Sequence, residues 1–210
     1  MSASLVGSEM CIRDRNDHKG FFAMMARMKY IERWALMRNS VSENICEHSL
    51  EVAMLAHGLG IIGRKRFGKD LSPERLAMLG MYHDCTEIIT GDMPTPVKYA
   101  NDELKEAYKA IEDSAAHRLL EMLPEDLRAE YESYFLPEQI TPEEYRYVKA
   151  ADKLSALIKC IEEEKTGNQE FRSAKQATYE SLQQMNMPEV TVFCEVFLPE
   201  YYKTLDELEH

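Results

Sequence analysis

The chain is organised around residues 81–96, which read MYHDCTEIITGDMPTP. This segment begins as the tail of an apolar helical pattern and ends as a loop that contains glycine and proline. Where the pattern ends it presents His83 and Asp84, a nitrogen donor and an oxygen donor that can bind one divalent cation. Glu87 follows four residues after His83, so a continuing helix would place its carboxylate near both. The segment predicts part of a metal site with its own acid/base carboxylate.

Composition favours a single helical domain. The chain has 210 residues, of which 45% are apolar, while its 9 glycines and 8 prolines are sparse and strand-like alternation is rare. We therefore predict an all-α fold. The 37 acidic residues outnumber the 25 basic ones and give a net charge of −12, which disfavours binding to nucleic acid. A small phosphorylated ligand remains compatible, because a metal ion and one or two basic groups reverse the local field.

The cysteines and the hydropathy pattern bear on location. The five cysteines form no CxxC pair and no secretory segment accompanies them, so we expect free thiols in a cytoplasmic protein. No apolar run approaches the roughly 18 residues that would suggest a membrane span. We expect no membrane association.

Residues 1–15 differ from the rest of the chain. They show no helical pattern, and residues 9–15 resemble a translated transposon-adapter sequence. We expect this tail to be non-native, with a disordered natural tail as the alternative. Residues 16–210 are predicted to form one domain without repeats or linkers.

Eight helices are predicted in that domain. Ser72-Pro73 and Thr141-Pro142 are start signals, with a capping residue followed by proline at the first helical position. The second and third helices are apolar on nearly all faces, which is typical of central helices. The predicted ranges are about 21–33, a second helix ending near 62, 74–88, 101–122, 125–135, 142–165, 170–187 and 189 onwards.

Three of these apolar helices carry residues that commonly bind metals. His48 lies at the start of the second helix, His83 and Asp84 near the end of the third, and Asp152 inside the sixth. A buried carboxylate needs a partner, and for Asp152 taken alone a salt bridge would be sufficient. Each histidine taken alone is compatible with ordinary core packing. Their combination favours a shared metal ion.

The order His48, His83-Asp84, Asp152 resembles the HD superfamily of metal-dependent phosphohydrolases. From about His18 almost to the C-terminus, the chain closely resembles the bacterial HD-domain 5′-deoxynucleotidase. The segments that carry this resemblance are Arg33-Trp34, Asn39, Glu43-Asn44, Glu47-His48-Ser49-Leu50, Met81-Tyr82-His83-Asp84, Glu87, Thr90-Gly91-Asp92, Pro94-Thr95-Pro96-Val97-Lys98-Tyr99 and Asp152.

The resemblance implies a fold, an activity and an assembly. The expected fold is an HD-domain helical bundle with the metal site between central helices. The expected activity is hydrolysis of deoxyribonucleoside 5′-monophosphates with selection against ribonucleotides, and the expected assembly is a homodimer. Two alternatives stay open. One is an HD phosphohydrolase acting on another nucleotide or a small phosphate ester, and the other is a non-catalytic HD domain that binds a nucleotide.

The resemblance also implies the metal ligands, namely His48, His83, Asp84 and Asp152. The expected cofactor is Co²⁺ or Mn²⁺, although such a mixed nitrogen and oxygen site accepts other divalent transition metals. HD enzymes with two metals use further histidines between the HD pair and the final aspartate. Here only His117 lies in that interval, so we predict one ion per site.

Catalytic and substrate-binding roles follow from the same motifs. Glu87 is the expected general acid or base, with a surface carboxylate as the alternative. Arg33 is expected to bind the phosphate in catalysis, and Trp34 to form an apolar wall that leaves a 2′-hydroxyl without a partner, unless it is ordinary core. Asp92 is expected to accept a hydrogen bond from the 3′-hydroxyl, with a plain Gly-Asp-x-Pro turn as the alternative. The remaining implied contacts come from Asp84, which is also expected to act in catalysis, and from the loop residues Met93, Pro94 and Thr95.

Overall fold

A computed structural model describes residues 19–98 and 100–209, and for Thr95 it describes only the backbone. The predicted non-native tail, residues 1–15, lies outside the described residues. The part that is described consists of helices joined by turns, with one isolated β-bridge between Glu32 and Asn44 and no strand. The all-α prediction is confirmed.

The α-helices are numbered in chain order. Short 3₁₀ helices also occur at Ala26–Tyr30, Pro137–Gln139 and Leu198–Tyr202. The α-helices are α1 Phe21–Met25, α2 Ile45–Phe67, α3 Pro73–Tyr82, α4 Glu87–Thr90, α5 Thr95–Lys98, α6 Asp102–Leu120, α7 Glu125–Phe135, α8 Pro142–Lys165, α9 Arg172–Gln184, α10 Pro188–Val196 and α11 Leu205–Leu208.

Helix α2 joins two apolar clusters. Along most of its length it packs against α3 and α8, where Leu59, Leu154 and Ile158 are completely or almost completely buried. Its first residue, Ile45, instead belongs to a second cluster formed with α1, α6 and α7. Cys85 lies in that second cluster, so the turn around it sits beside the start of α2. The predicted metal ligands therefore lie between the two apolar clusters.

Helix α2 is longer than predicted. Its start is fixed by a capping box, in which the Asn44 side chain accepts from the backbone N–H of Glu47 and the Glu47 side chain accepts from Asn44. The helix continues through Gly63, where it approaches Tyr147 closely, and ends where Gly68 adopts a φ of 66°. The predicted end near residue 62 was wrong because Gly63 serves packing rather than termination.

By length and composition, α2 would also be able to cross a membrane. This differs from the expectation that no segment reaches that length. In the structure, 56% of its most apolar window is buried inside the protein, and central helices of globular bundles meet the same criterion.

Two predicted helices are shorter than expected. The first gives way to a 3₁₀ helix after Met25. The third ends at Tyr82, where residues 83–86 form tight turns before α4 begins at Glu87. In these turns the Cys85 and Glu87 N–H groups donate to residues three positions earlier, which replaces the α-helical bonding. His83, Asp84 and Glu87 therefore come from a turn and a new helix, not from one continuous helix.

Candidate active site

The structure brings together the side chains of the four predicted metal ligands. His48 lies in the first turn of α2, His83 and Asp84 follow α3, and Asp152 lies in the middle of α8. His48 Nε2 is 3.5 Å from Asp84 Oδ2 and 3.4 Å from Asp152 Oδ1. His83 Nε2 is 3.0 Å from Asp84 Oδ2. Donor atoms of His48, His83 and Asp84 all lie within 4.8 Å of one another, a spacing that suits a single ion.

The hydrogen bonds of the two histidines direct their free nitrogens into this cluster. His83 Nδ1 donates to the Gly80 carbonyl at 2.7 Å. His48 Nδ1 is 2.9 Å from Ser155 Oγ, whose hydroxyl donates to Glu51, so Nδ1 is the donor in this pair as well. Both Nε2 atoms then point into the cluster, and both are buried without a hydrogen-bond partner among the described residues. This donor set fits a divalent metal ion.

The carboxylates of the cluster are held ionised. Burial alone would raise the pKa of Asp84, but the adjacent imidazoles of His83 and His48 hold that pKa well below its usual value. Burial also opposes ionisation of Asp152, whose pKa is nonetheless lowered by the charge of Lys149 and by the adjacent imidazole of His48. Asp152 Oδ2 accepts from Lys149 Nζ at 3.0 Å, while Oδ1 faces the cluster. Ionised oxygens are the form that binds a cation.

Glu87 has the opposite character. It lies in the first turn of α4, is 7% exposed, and its Oε2 has no hydrogen-bond partner among the described residues. Burial, together with the negative charges of Asp84 and Asp92, raises its pKa to about 10. The surface-carboxylate alternative is wrong, and Glu87 carries a proton at neutral pH in the metal-free protein.

Arg33 and Trp34 form one unit with Glu43. Arg33 Nη1 and Trp34 Nε1 both donate to Glu43 Oε2, at 2.9 and 2.8 Å. Burial works to lower the pKa of Arg33, but Glu43 and the cluster carboxylates Asp84 and Asp152 raise it overall, so the guanidinium faces the cluster as a cation. The Trp34 ring is half-buried, with its centroid 5.3 Å from that of Phe171. Trp34 therefore packs against the core and also lies beside the site.

The loop that follows α4 approaches the same unit. Gly91 has a φ of 75°, which favours glycine at this sharp exit from the helix. Burial raises the pKa of Asp92, although Arg33 and a hydrogen bond from the Trp34 backbone oppose this rise. Asp92 therefore lies next to Arg33 and Trp34. Met93 and Pro94 are half-buried in the loop, and the side chain of Thr95 is outside the described atoms.

Four polar residues of the site had no predicted role. Glu43 bonds to Arg33 and Trp34, Ser155 and Glu51 extend from His48, and Lys149 pairs with Asp152. A local signal existed for Lys149, which is three residues from Asp152 on one helix. The other contacts join separate elements and left no sequence pattern.

Comparisons with known proteins agree on one family. A family profile described as "5′-deoxynucleotidase YfbR-like" matches residues 20–201. A 5′-deoxynucleotidase of Vibrio cholerae is 48% identical over 90% of this chain and 97% of its own length. A 5′-deoxynucleotidase of Shigella boydii is 46% identical over 90% of this chain and 94% of its own.

Solved structures share the fold. An HD-domain phosphohydrolase from Listeria innocua superposes with a TM-score of 0.75 at 22% identity, covering 90% of this chain and 91% of that one. An HD phosphohydrolase of cyanophage S-2L, bound to dA and one catalytic Zn²⁺ ion, superposes with a TM-score of 0.58 at 21% identity, covering 82% and 93%. The helical bundle is thus that of HD phosphohydrolases.

Proposed function

Because this chain belongs to the 5′-deoxynucleotidase YfbR-like family, we propose that the histidine and carboxylate cluster is where it hydrolyses deoxyribonucleoside 5′-monophosphates. The chain is a phosphomonoester hydrolase of the 5′-deoxynucleotidase type. One observation carries the assignment of the site. Two unpartnered imidazole nitrogens face two ionised carboxylates within 3.5 Å, and a buried guanidinium lies beside them.

The proposed metal ligands are His48 Nε2, His83 Nε2 and one oxygen each from Asp84 and Asp152. A bound divalent cation supplies neutralisation of phosphate charge and activation of water. We propose one ion per site, with Co²⁺ or Mn²⁺ as the working choice, because a mixed nitrogen and oxygen set is not selective. The cyanophage neighbour, with its single catalytic Zn²⁺ ion, is compatible with one ion.

Glu87 is proposed to act as the general acid. The sequence left acid and base roles open, and the raised pKa of Glu87 supports the acid. A cation held by the neighbouring cluster would lower that pKa and so favour release of the Glu87 proton. The proton would be delivered to the 5′-oxygen of the departing deoxynucleoside, which otherwise leaves as an alkoxide.

The substrate is proposed to lie between the cluster and the Arg33-Trp34 unit. The guanidinium of Arg33 matches phosphate oxygens, and Asp84, as a member of the cluster, would contact the same phosphate. Trp34 would close off the 2′ side of the sugar, and Asp92 would accept from the 3′-hydroxyl. Met93, Pro94 and Thr95 would complete the loop around the sugar.

A cytoplasmic homodimer is proposed on separate grounds. The four cysteines in the described part of the chain are free thiols, which is compatible with a reducing compartment. Leu50 and Met54 are 56% and 60% exposed on the outer face of α2, which supports contact with a second copy.

The test is a phosphate-release panel with metal-free protein reconstituted with Co²⁺, Mn²⁺ or Zn²⁺. We expect release from dAMP and other deoxynucleoside 5′-monophosphates, strict dependence on added metal, and at least about tenfold lower kcat/KM for AMP. Release from unrelated phosphate esters but not from dAMP would favour another substrate. No release from any nucleoside monophosphate in the reconstituted protein would refute the proposed activity.

A further inference from the structure

One carboxylate oxygen joins the two residues proposed to recognise phosphate and sugar. Glu43 Oε2 accepts from Arg33 Nη1 at 2.9 Å and from Trp34 Nε1 at 2.8 Å, and the Glu43 side chain is only 13% exposed. At this degree of burial, both donors would lose a partner that solvent does not fully replace if the carboxylate were removed. Glu43 is therefore the common anchor of the pair.

The backbone of the pair is also tied to Glu43. The Arg33 N–H donates to the Glu43 carbonyl at 2.8 Å, and the neighbouring residues Glu32 and Asn44 form a β-bridge. Trp34 itself adopts a φ of 59°, a left-handed conformation that costs a bulky residue about 1–2 kcal/mol. Surrounding contacts must hold such a residue in place, and among them Asn39 Nδ2 donates to the Trp34 carbonyl at 3.3 Å.

Packing alone leaves the orientation of the Trp34 ring underdetermined. The ring meets Phe171 at a centroid distance of 5.3 Å and the Arg33 guanidinium at 5.7 Å, and neither contact is strongly directional. The hydrogen bond from Nε1 to Glu43 is directional and selects one ring orientation. It also fixes the distance between the indole and the guanidinium, since both meet the same oxygen.

We infer that Glu43 is the positioning residue for sugar selectivity, because it holds Trp34 and Arg33 as one rigid unit. This inference rests on the proposed function, in which the pair contacts sugar and phosphate. Exclusion of a 2′-hydroxyl requires a wall at a fixed place relative to the bound phosphate, and a displacement of about 1 Å is enough to alter such discrimination strongly. Removing Glu43 should therefore admit ribonucleotides.

The experiment compares Glu43→Ala and Glu43→Gln with the matched control Glu32→Gln. Glu32 lies beside Arg33 in the same segment, and its side chain is exposed. Two quantities are measured in metal-loaded protein: the ratio of kcat/KM for dAMP to that for AMP, and acrylamide quenching of Trp34. Because Trp34 is the single tryptophan of the chain, its fluorescence reports this site alone.

We expect Glu43→Ala to lower the dAMP-to-AMP ratio by about tenfold or more and to increase quenching of Trp34. Glu43→Gln should be intermediate, because its amide oxygen still accepts from Nε1 but no longer balances the charge of Arg33. Glu32→Gln should match the wild type in both measurements. Melting temperatures establish that each variant is folded, and Glu43→Gln gives the answer if Glu43→Ala does not fold.

Different failures have different meanings. If the wild type is selective and the Glu43 variants keep both its ratio and its quenching within about twofold, the inference is wrong. Greater quenching with an unchanged ratio also overturns it, because position and selectivity would then be separate. If the wild type does not hydrolyse dAMP, the proposed function fails together with the selectivity claim, while the quenching data still show whether Glu43 holds Trp34.

Discussion

Glu87 and Asp84 lie three positions apart, yet their surroundings move their pKa values in opposite directions. Asp84 faces two imidazoles and stays ionised, whereas Glu87 is buried against other carboxylates, and its pKa rises to about 10. Carboxyl groups whose environments separate their pKa values in this way divide the work of an acid/base site. Here the opposite pKa shifts favour Asp84 as a metal ligand and Glu87 as a proton donor.

The first prediction concerns the proton that Glu87 carries. Glu87→Gln keeps the size of the side chain but removes the acidic proton, so kcat for dAMP should fall by about 10²–10⁴-fold while binding changes little. Single-turnover phosphate release and calorimetric binding of dAMP separate the two effects. Glu103→Gln, an exposed substitution on α6, is the control. A Glu87→Gln rate within about threefold of wild type would rule out the role.

The second prediction concerns pH and stability without metal. Glu87 holds its proton in the folded protein up to about pH 10, whereas its ordinary pKa is 4.5, so unfolding between these values releases a proton. The stabilisation is complete below the unfolded pKa and is lost as pH rises towards the folded one, by up to about 1.4 kcal/mol per pH unit.

Urea unfolding in EDTA at pH 6, 7 and 8 measures this slope. Glu87→Gln should flatten it, since glutamine does not titrate, and Glu103→Gln should leave it unchanged. Equal slopes in the wild type and Glu87→Gln would show that Glu87 is not protonated in the folded protein.

The sequence predicted those site residues that are chemically unusual in their own helix. His48 and Asp152 stand out because an apolar residue would pack better at their positions. The roles of Glu43 and Ser155 were not predictable in this way, because each acts through a residue of another element. Such partners depend on how helices pack, which local residue patterns do not encode.

At the scale of elements, the site depends on how closely α3 approaches α2. A Cβ at Gly80 would lie 3.0 Å from the Ala53 Cα and 3.1 Å from its nitrogen, both of which are backbone atoms of α2. The Gly80 carbonyl also accepts from His83 Nδ1. The same glycine thus permits the helix contact and orients a proposed metal ligand. Sequence periodicity predicted both helices but not the end of α3 at Tyr82. The turn that follows Tyr82 depends on the contacts of Gly80 with α2 and His83, which periodicity does not encode.

The third prediction follows from this contact. Gly80→Ala should separate the helices and move His83, with a loss of about 1–3 kcal/mol in unfolding free energy and about 10–100-fold weaker metal binding. Gly58→Ala is the control, because a Cβ there meets nothing within 4 Å and alanine favours a helix by about 1 kcal/mol. Denaturation curves and Co²⁺ titrations provide the measurements. Equal stability of the two variants would contradict the close approach.

At the scale of the whole molecule, the site concentrates negative charge in a chain whose net charge is already −12. Five carboxyl groups from five segments converge near α2, and the positive charges that act on them include Arg33, Lys98 and Lys149. The five are Glu43, Asp84, Glu87, Asp92 and Asp152. This convergence weakens the metal-free protein through mutual repulsion, so a divalent cation should stabilise the entire bundle.

The fourth prediction is therefore a cation-dependent rise in Tm. At a free concentration about 100 times the Kd, binding adds about 2.7 kcal/mol, which is about 5–10 °C for a domain of this size. His83→Ala should lose most of the rise, because it removes a proposed Nε2 ligand, whereas His117→Ala on the exposed face of α6 should keep it. Thermal scans with Mn²⁺, Co²⁺ and EDTA measure the effect. An equal rise in Tm in both variants would show that the ion binds elsewhere. The convergence of charged groups around His48 and Asp152 would then require an explanation other than metal binding.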